Sequence, residues 1–164
     1  MRVLGMLILP VAAVVFSAPA SAGEALPDSG SAKLAAYQVC RPLAAVDMGN
    51  AGSDAATECN GIVKNLDSQK TPDNLSIHCL ETTSSRPDGY KYSGACVQTD
   101  SDGDKLYMTY AGAGTGEVKW AGGTGKYQGV SGAGALRVDV APGGTPTQFA
   151  YTLSFDVEWT RKPK

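Results

Sequence analysis

Gly122-Gly123-Thr124-Gly125-Lys126-Tyr127-Gln128-Gly129-Val130-Ser131-Gly132-Ala133-Gly134 places six glycines among thirteen residues, with one aromatic and one β-branched apolar residue between them. Glycine reaches positive φ and lets backbones approach closely at little steric cost. Between two alternating apolar strands, such a run reads as a sharp, glycine-built corner in a sheet. A phosphate cradle would need a helix behind the glycines, so that the helix N-terminus faces the anion. Alternating strands follow both this run and Gly112-x-Gly114-x-Gly116, which excludes a nucleotide loop.

The strands on either side carry the fold class. From Phe149 the odd positions are Phe149, Tyr151, Leu153, Phe155, Val157 and Trp159, and the even ones Ala150, Thr152, Ser154, Asp156, Glu158 and Thr160. This period of two gives one apolar and one mostly polar face, whereas a helix would scatter the aromatics around its circumference. The same alternation recurs at Leu75, Ile77 and Cys79; at Leu106, Met108 and Tyr110; at Val118 and Trp120; and at Leu136, Val138 and Val140. Residues 34–40 and 59–66 offer further strands. Arg86-Pro87-Asp88-Gly89 and Asp102-Gly103 are hairpin turns. Pro142 to Pro146 forms a break before the last strand, and Asp47 to Thr57, rich in Gly, Ala, Asn and Ser, reads as a loop or at most one helical turn. No sustained helical period follows residue 23. The pattern predicts an all-β domain, a single antiparallel barrel of about eight strands, because closing the sheet removes its edges.

The glycine run resembles the corner of the allene oxide cyclase-like and dirigent-like β-barrels. Before it, Cys96-Val97-Gln98-Thr99-Asp100-Ser101-Asp102-Gly103-Asp104-Lys105-Leu106-Tyr107 resembles a segment common in small exported bacterial proteins of that barrel type. The resemblance spans Gly94 to Leu136 and implies the barrel. The plant enzymes of this group use inward polar residues elsewhere in the barrel, which do not map onto this chain, so no catalytic residue is carried over. Oligomers occur among these barrels, which implies a homo-oligomer here, a trimer by analogy.

The N-terminus has Arg2, an apolar run from Val3 to Phe16 interrupted by Pro10, and an Ala20-x-Ala22 site. These are the parts of a secretory signal peptide, residues 1–22, cleaved after Ala22; the run is too short for a membrane span. Residues 23–33 read as a flexible lead-in, 34–161 as the barrel domain and 162–164 as a basic tail. Loss of Arg2 takes the formal net charge from −2 to −3. A mildly acidic chain without a basic stripe is not a nucleic-acid binder.

Cys40, Cys59, Cys79 and Cys96 all lie after the leader. An even count in an exported chain predicts two disulfides, for which three connectivities exist. Cys40–Cys59 with Cys79–Cys96 is expected, since each ties neighbouring segments. A zinc site is disfavoured, because no C-x-x-C pair exists and His78 merely abuts Cys79. Together these features place the protein outside the cytoplasm, periplasmic or secreted in a bacterium.

Candidate chemistry is sparse. Asp100-x-Asp102-x-Asp104 has the spacing of a calcium loop, but Lys105 and Ala111 stand where glycine and glutamate belong. A charged hairpin tip and no metal are expected. His78 belongs to the polar face of its strand, and no local motif assembles a triad. Oxidised thiols are not nucleophiles. The ligand-binding set is the barrel-facing aromatics Tyr92, Tyr110, Trp120, Phe149, Tyr151, Phe155 and Trp159, which offer apolar bulk with polar handles. The expected function is a non-enzymatic barrel, without a cofactor, whose interior is either filled by its own side chains, the reading a small barrel favours, or open to a small apolar ligand. The resemblance implies an alternative, a cofactor-free isomerase or cyclase acting on a hydrophobic substrate. That chemistry needs a polar group inside the barrel, and the sequence shows no recognisable acid–base pair.

Overall fold

A computed structural model describes residues 26–67, 72–145 and 147–162. The signal peptide assigned to residues 1–22 lies outside the described residues. Eight antiparallel strands, each paired with its neighbours in sequence, close into one barrel. They are β1 (Ser29–Asp47), β2 (Ser53–Asn65), β3 (Leu75–Arg86), β4 (Gly89–Thr99), β5 (Lys105–Ala113), β6 (Thr115–Gly123), β7 (Val130–Val140) and β8 (Phe149–Arg161). β1 and β8 close the cylinder, running from Ser29 opposite Thr160 to Cys40 opposite Phe149. The stretches of alternating sequence are strands, as expected, and every aromatic on the odd face of β8 points inward.

Two boundaries differ from expectation. β1 begins at Ser29, inside the stretch 23–33 read as a lead-in. Its small residues are strand-competent here because Gly30 leaves room for the Trp159 ring and Ala32 turns into the core. The segment Asp47 to Thr57, read as a loop, holds only a short 3₁₀ turn, Gly49–Ala51, before β2 starts at Ser53. There Ala55 and Ala56 pair with Thr83 and Thr82, so a ladder partner overrides the loop-like composition.

The cysteines stand in one register row across four adjacent strands, Cys40 opposite Cys59, Cys59 opposite Cys79 and Cys79 opposite Cys96. They form Cys40–Cys59 and Cys79–Cys96, the expected pairs. Each spans two neighbouring strands and points into the core. Below them Leu34, Leu75, Leu106, Leu153 and Phe155 fill the interior, and Trp120 packs on Trp159 with centroids 5.5 Å apart. Leu26 and Tyr127 are buried at the end where the chain enters the barrel. That end is therefore packed shut.

The glycine corner connects β6 to β7 and carries a 3₁₀ turn, Gly125–Tyr127. Gly125 has φ +51°, and a Cβ there would run into the Asp104 carboxylate. The glycine lets the backbone come close enough for the Lys126 amide to donate to Asp104 Oδ2 at 3.0 Å. The Lys126 ammonium then reaches Asp102 Oδ2 at 2.6 Å and Asp100 Oδ2 at 3.0 Å. The aspartate triplet that has calcium-loop spacing is thus occupied by a lysine of the same chain. Among the described residues no cluster of three or more His, Cys, Asp or Glu could hold a metal ion.

Candidate functional site

At the opposite end of the barrel, the inward rows contain one acid. Glu81 on β3 is 7 % exposed, and it is the only charged residue in the buried set of the described chain. Its register partners are Thr57 on β2 and Gly94 on β4. Tyr110 Oη donates to Glu81 Oε2 at 2.9 Å. Tyr151 Oη lies 3.3 Å from Tyr110 Oη, 3.5 Å from Glu81 Oε2 and 3.4 Å from Cys59 Sγ. One carboxyl oxygen thus gathers two phenols from β5 and β8.

Two inward glycines seat the rings. A Cβ on Gly94 would fall within 2.4 Å of the Tyr110 ring, and one on Gly112 within 2.5 Å of Tyr92 Oη. The Gly112-x-Gly114-x-Gly116 run therefore makes a turn and a bed for Tyr92, whose hydroxyl donates to the Gly114 carbonyl at 3.4 Å. Tyr90, Tyr92 and Tyr110 form a chain of rings with successive centroids 6.2 Å apart, and Phe149 lies 6.2 Å from Tyr151.

The electrostatics follow from burial. Desolvation pushes the Glu81 carboxyl above its ordinary range, against the two tyrosine hydrogen bonds that pull it down. Burial, and the neighbouring acid, push Tyr92, Tyr110 and Tyr151 upward, so these phenols stay protonated donors. Glu81 has no ion pair among the described residues; Lys91 on the adjacent β4 and Lys119 on β6 face outward. The Gln38 amide, 2 % exposed and opposite Tyr151 in the register, has no partner for its oxygen or nitrogen among the described residues.

A surface depression of about 1620 Å³ runs along this end of β1–β6. Inward Glu81, Tyr92 and Tyr110 border it, and so do outward Leu80, Thr82, Ser93, Ala95 and Thr109. Tyr90 and Val140, the last residues of their inward rows, are exposed, and Phe149 is half-buried.

The seven aromatics singled out from sequence divide into two groups. Tyr92, Tyr110, Phe149 and Tyr151 gather around Glu81, whereas Trp120, Phe155 and Trp159 pack in the core toward the closed end. His78 lies on the outer wall, where its Nε2 meets Glu58 Oε1 at 2.9 Å. Sequence reasoning missed Glu81. Its signal was present: continuing the inward positions Leu75, Ile77 and Cys79 by two residues places Glu81 inside, and the same step from Cys40 and Cys96 gives Gln38 and Gln98.

No family model and no curated protein matches this chain. Among solved structures it is similar to the pterocarpan synthase dirigent protein PsPTS1, at 13 % identity and a TM-score of 0.52, covering 85 % of this chain and 100 % of that one. It is also similar to the pterocarpan synthase dirigent protein GePTS1, at 11 % identity and a TM-score of 0.51, covering 85 % and 90 %. The fold is the dirigent-type barrel, in agreement with the resemblance carried by the glycine corner.

Proposed function

We propose that this protein is a non-enzymatic binding barrel that receives a small, largely apolar ligand through the end bearing Tyr90, Phe149 and Val140 and presents Glu81 to it. One observation carries the reading: a lone carboxyl is kept inside an apolar barrel, next to the mouth, with two phenols aimed at it. Burying such a group is costly, and a barrel that needed only a packed core would do better with an apolar residue there. The unpartnered Gln38 amide deeper in the same wall supports an interior guest with polar groups of its own. The names of the structural neighbours tie this barrel shape to small-molecule chemistry, which points the same way.

The isomerase or cyclase reading gains a polar interior group in Glu81. Its second group would have to be Tyr110 or Tyr151, and burial pushes both phenols upward, away from the range in which proton transfer near neutral pH is efficient. Binding is therefore the reading favoured here. The two disulfides support an exported location, periplasmic or secreted, where such bridges persist.

The test is equilibrium binding of a neutral apolar fluorophore, N-phenyl-1-naphthylamine, to the purified, oxidised protein. One saturable site is expected, lost when Val140→Trp blocks the mouth. Absence of saturable binding, or binding indifferent to Val140→Trp, overturns the proposal.

A further inference from the structure

We propose that the ligand of this barrel is an organic cation, an amine or quaternary ammonium on an apolar body, seated with its charge against Glu81 and its body beside Tyr92 and Tyr110. The inference rests on the binding reading above and names the chemical class that the site would take.

Three features of the site converge on positive charge. Glu81 is the one buried carboxyl at the mouth among the described residues, and it has no cationic partner among them. Its outward neighbours Lys91 and Lys119 point away from it. An anionic guest would bring a like charge to a buried carboxylate, and the lysines that line the depression, Lys91 and Lys119, stand on its outward-facing side rather than beside Glu81. A neutral guest would leave the carboxyl to shed its charge by taking up a proton. A cation alone supplies what the fold withholds, the countercharge that makes the buried carboxylate favourable.

The rings supply the second half of the recognition. Tyr90, Tyr92, Tyr110, Tyr151 and Phe149 arrive from β4, β5 and β8 around the acid. Aromatic faces attract ammonium groups, more strongly when water is excluded, and cages of this composition select quaternary ammonium ligands over neutral shapes. The two phenols that bond Glu81 Oε2 orient the carboxyl without neutralising it. Gly94 seats the Tyr110 ring and Gly112 the Tyr92 ring against the wall, so these two stand as pre-set surfaces rather than mobile arms.

Charge alone is isolated by comparing two probes of one shape, benzyltrimethylammonium and its neutral isostere neopentylbenzene. Binding to the full, oxidised protein is followed by competition with N-phenyl-1-naphthylamine. The cation is expected to bind at least about tenfold tighter. In Glu81→Gln, which keeps the shape and removes the charge, the ratio of the two affinities should fall to about one. A second readout needs no variant. The groups facing Glu81 are Tyr90 and Tyr92 from β4, Tyr110 from β5, Tyr151 from β8 and Thr57 from β2. Burial holds all four phenols protonated, so Glu81 alone changes charge in the acid to neutral range. Affinity for the cation should therefore rise with pH through the Glu81 midpoint, and affinity for the isostere should stay flat. Equal affinities for the two probes, with no pH dependence, would overturn the cation and leave the binding barrel standing. Failure of both probes and of the fluorophore to bind would remove both readings.

Discussion

Lys126 of the glycine corner holds Asp100 of the β4–β5 loop, with Nζ 3.0 Å from Oδ2. The two side chains are 12 % and 6 % exposed, so the pair is largely shielded from water. Burial works to raise Asp100, but the Lys126 ammonium and the amides of Asp102 and Asp104 win and hold its carboxyl below the usual range. The same contact ties the two stretches of sequence that carry the barrel resemblance to each other.

Lys126→Met should therefore destabilise the fold by about 1–3 kcal/mol, the cost of leaving a buried carboxylate unsatisfied. Urea unfolding measures it, with Lys119→Met as the reference. Lys119 pairs with Glu117 at 3.8 Å on an exposed surface, and its removal should change stability by less than about 0.5 kcal/mol.

Stability should also record Glu81. Its folded carboxyl titrates above the ordinary value of 4.5, so the folded state holds a proton that the unfolded state has already released. The corresponding contribution is complete below pH 4.5 and is lost as pH rises through the folded midpoint. Glu81→Gln should flatten this decline, which thermal melts across pH 4 to 8 would reveal as a higher relative melting temperature at neutral pH. Asp100 works in the opposite sense, since its depressed carboxyl adds stability that is lost only as pH falls through the folded midpoint, below about 3.8.

Gly94→Ala should disturb the site without replacing an ionisable group. The new methyl would fall within 2.4 Å of the Tyr110 ring, which must move off Glu81. A cost of about 1–3 kcal/mol is expected for overpacking of this kind, together with a changed near-ultraviolet circular dichroism signal from the tyrosines.

Much of this fold is legible from residue order. The alternation in Phe149–Trp159 names the inner face of β8, and the even cysteine count points to two bridges, while their pairing follows from the register row that the structure shows. The composition of Asp47–Thr57 misleads because ladder pairing with β3 outweighs weak local propensity. The aspartate triplet misleads in another way: its cation comes from Lys126, which a local motif does not include. Glu81 shows the limit of aromatic content as a guide. The site depends on which face a polar residue takes, and parity counted from Cys79 reveals it more directly than any ring does.

The bridges allow a covalent check of the register. Cys59 and Cys79 are also opposite one another, so a slipped pairing would yield a Cys59–Cys79 peptide. Non-reducing peptide mapping should find Cys40–Cys59 and Cys79–Cys96 only. Removing the second bridge by Cys79→Ala with Cys96→Ala should cost about 2–4 kcal/mol in urea unfolding.

The most direct measurement is a carbon-13 NMR pH titration of the Glu81 side-chain carboxyl in the oxidised protein. The account predicts a midpoint above 4.5, moved downward when benzyltrimethylammonium is bound. A midpoint at or below 4.5 in the free protein, unmoved by the cation, would contradict a buried, unpaired acid waiting at the mouth of the barrel.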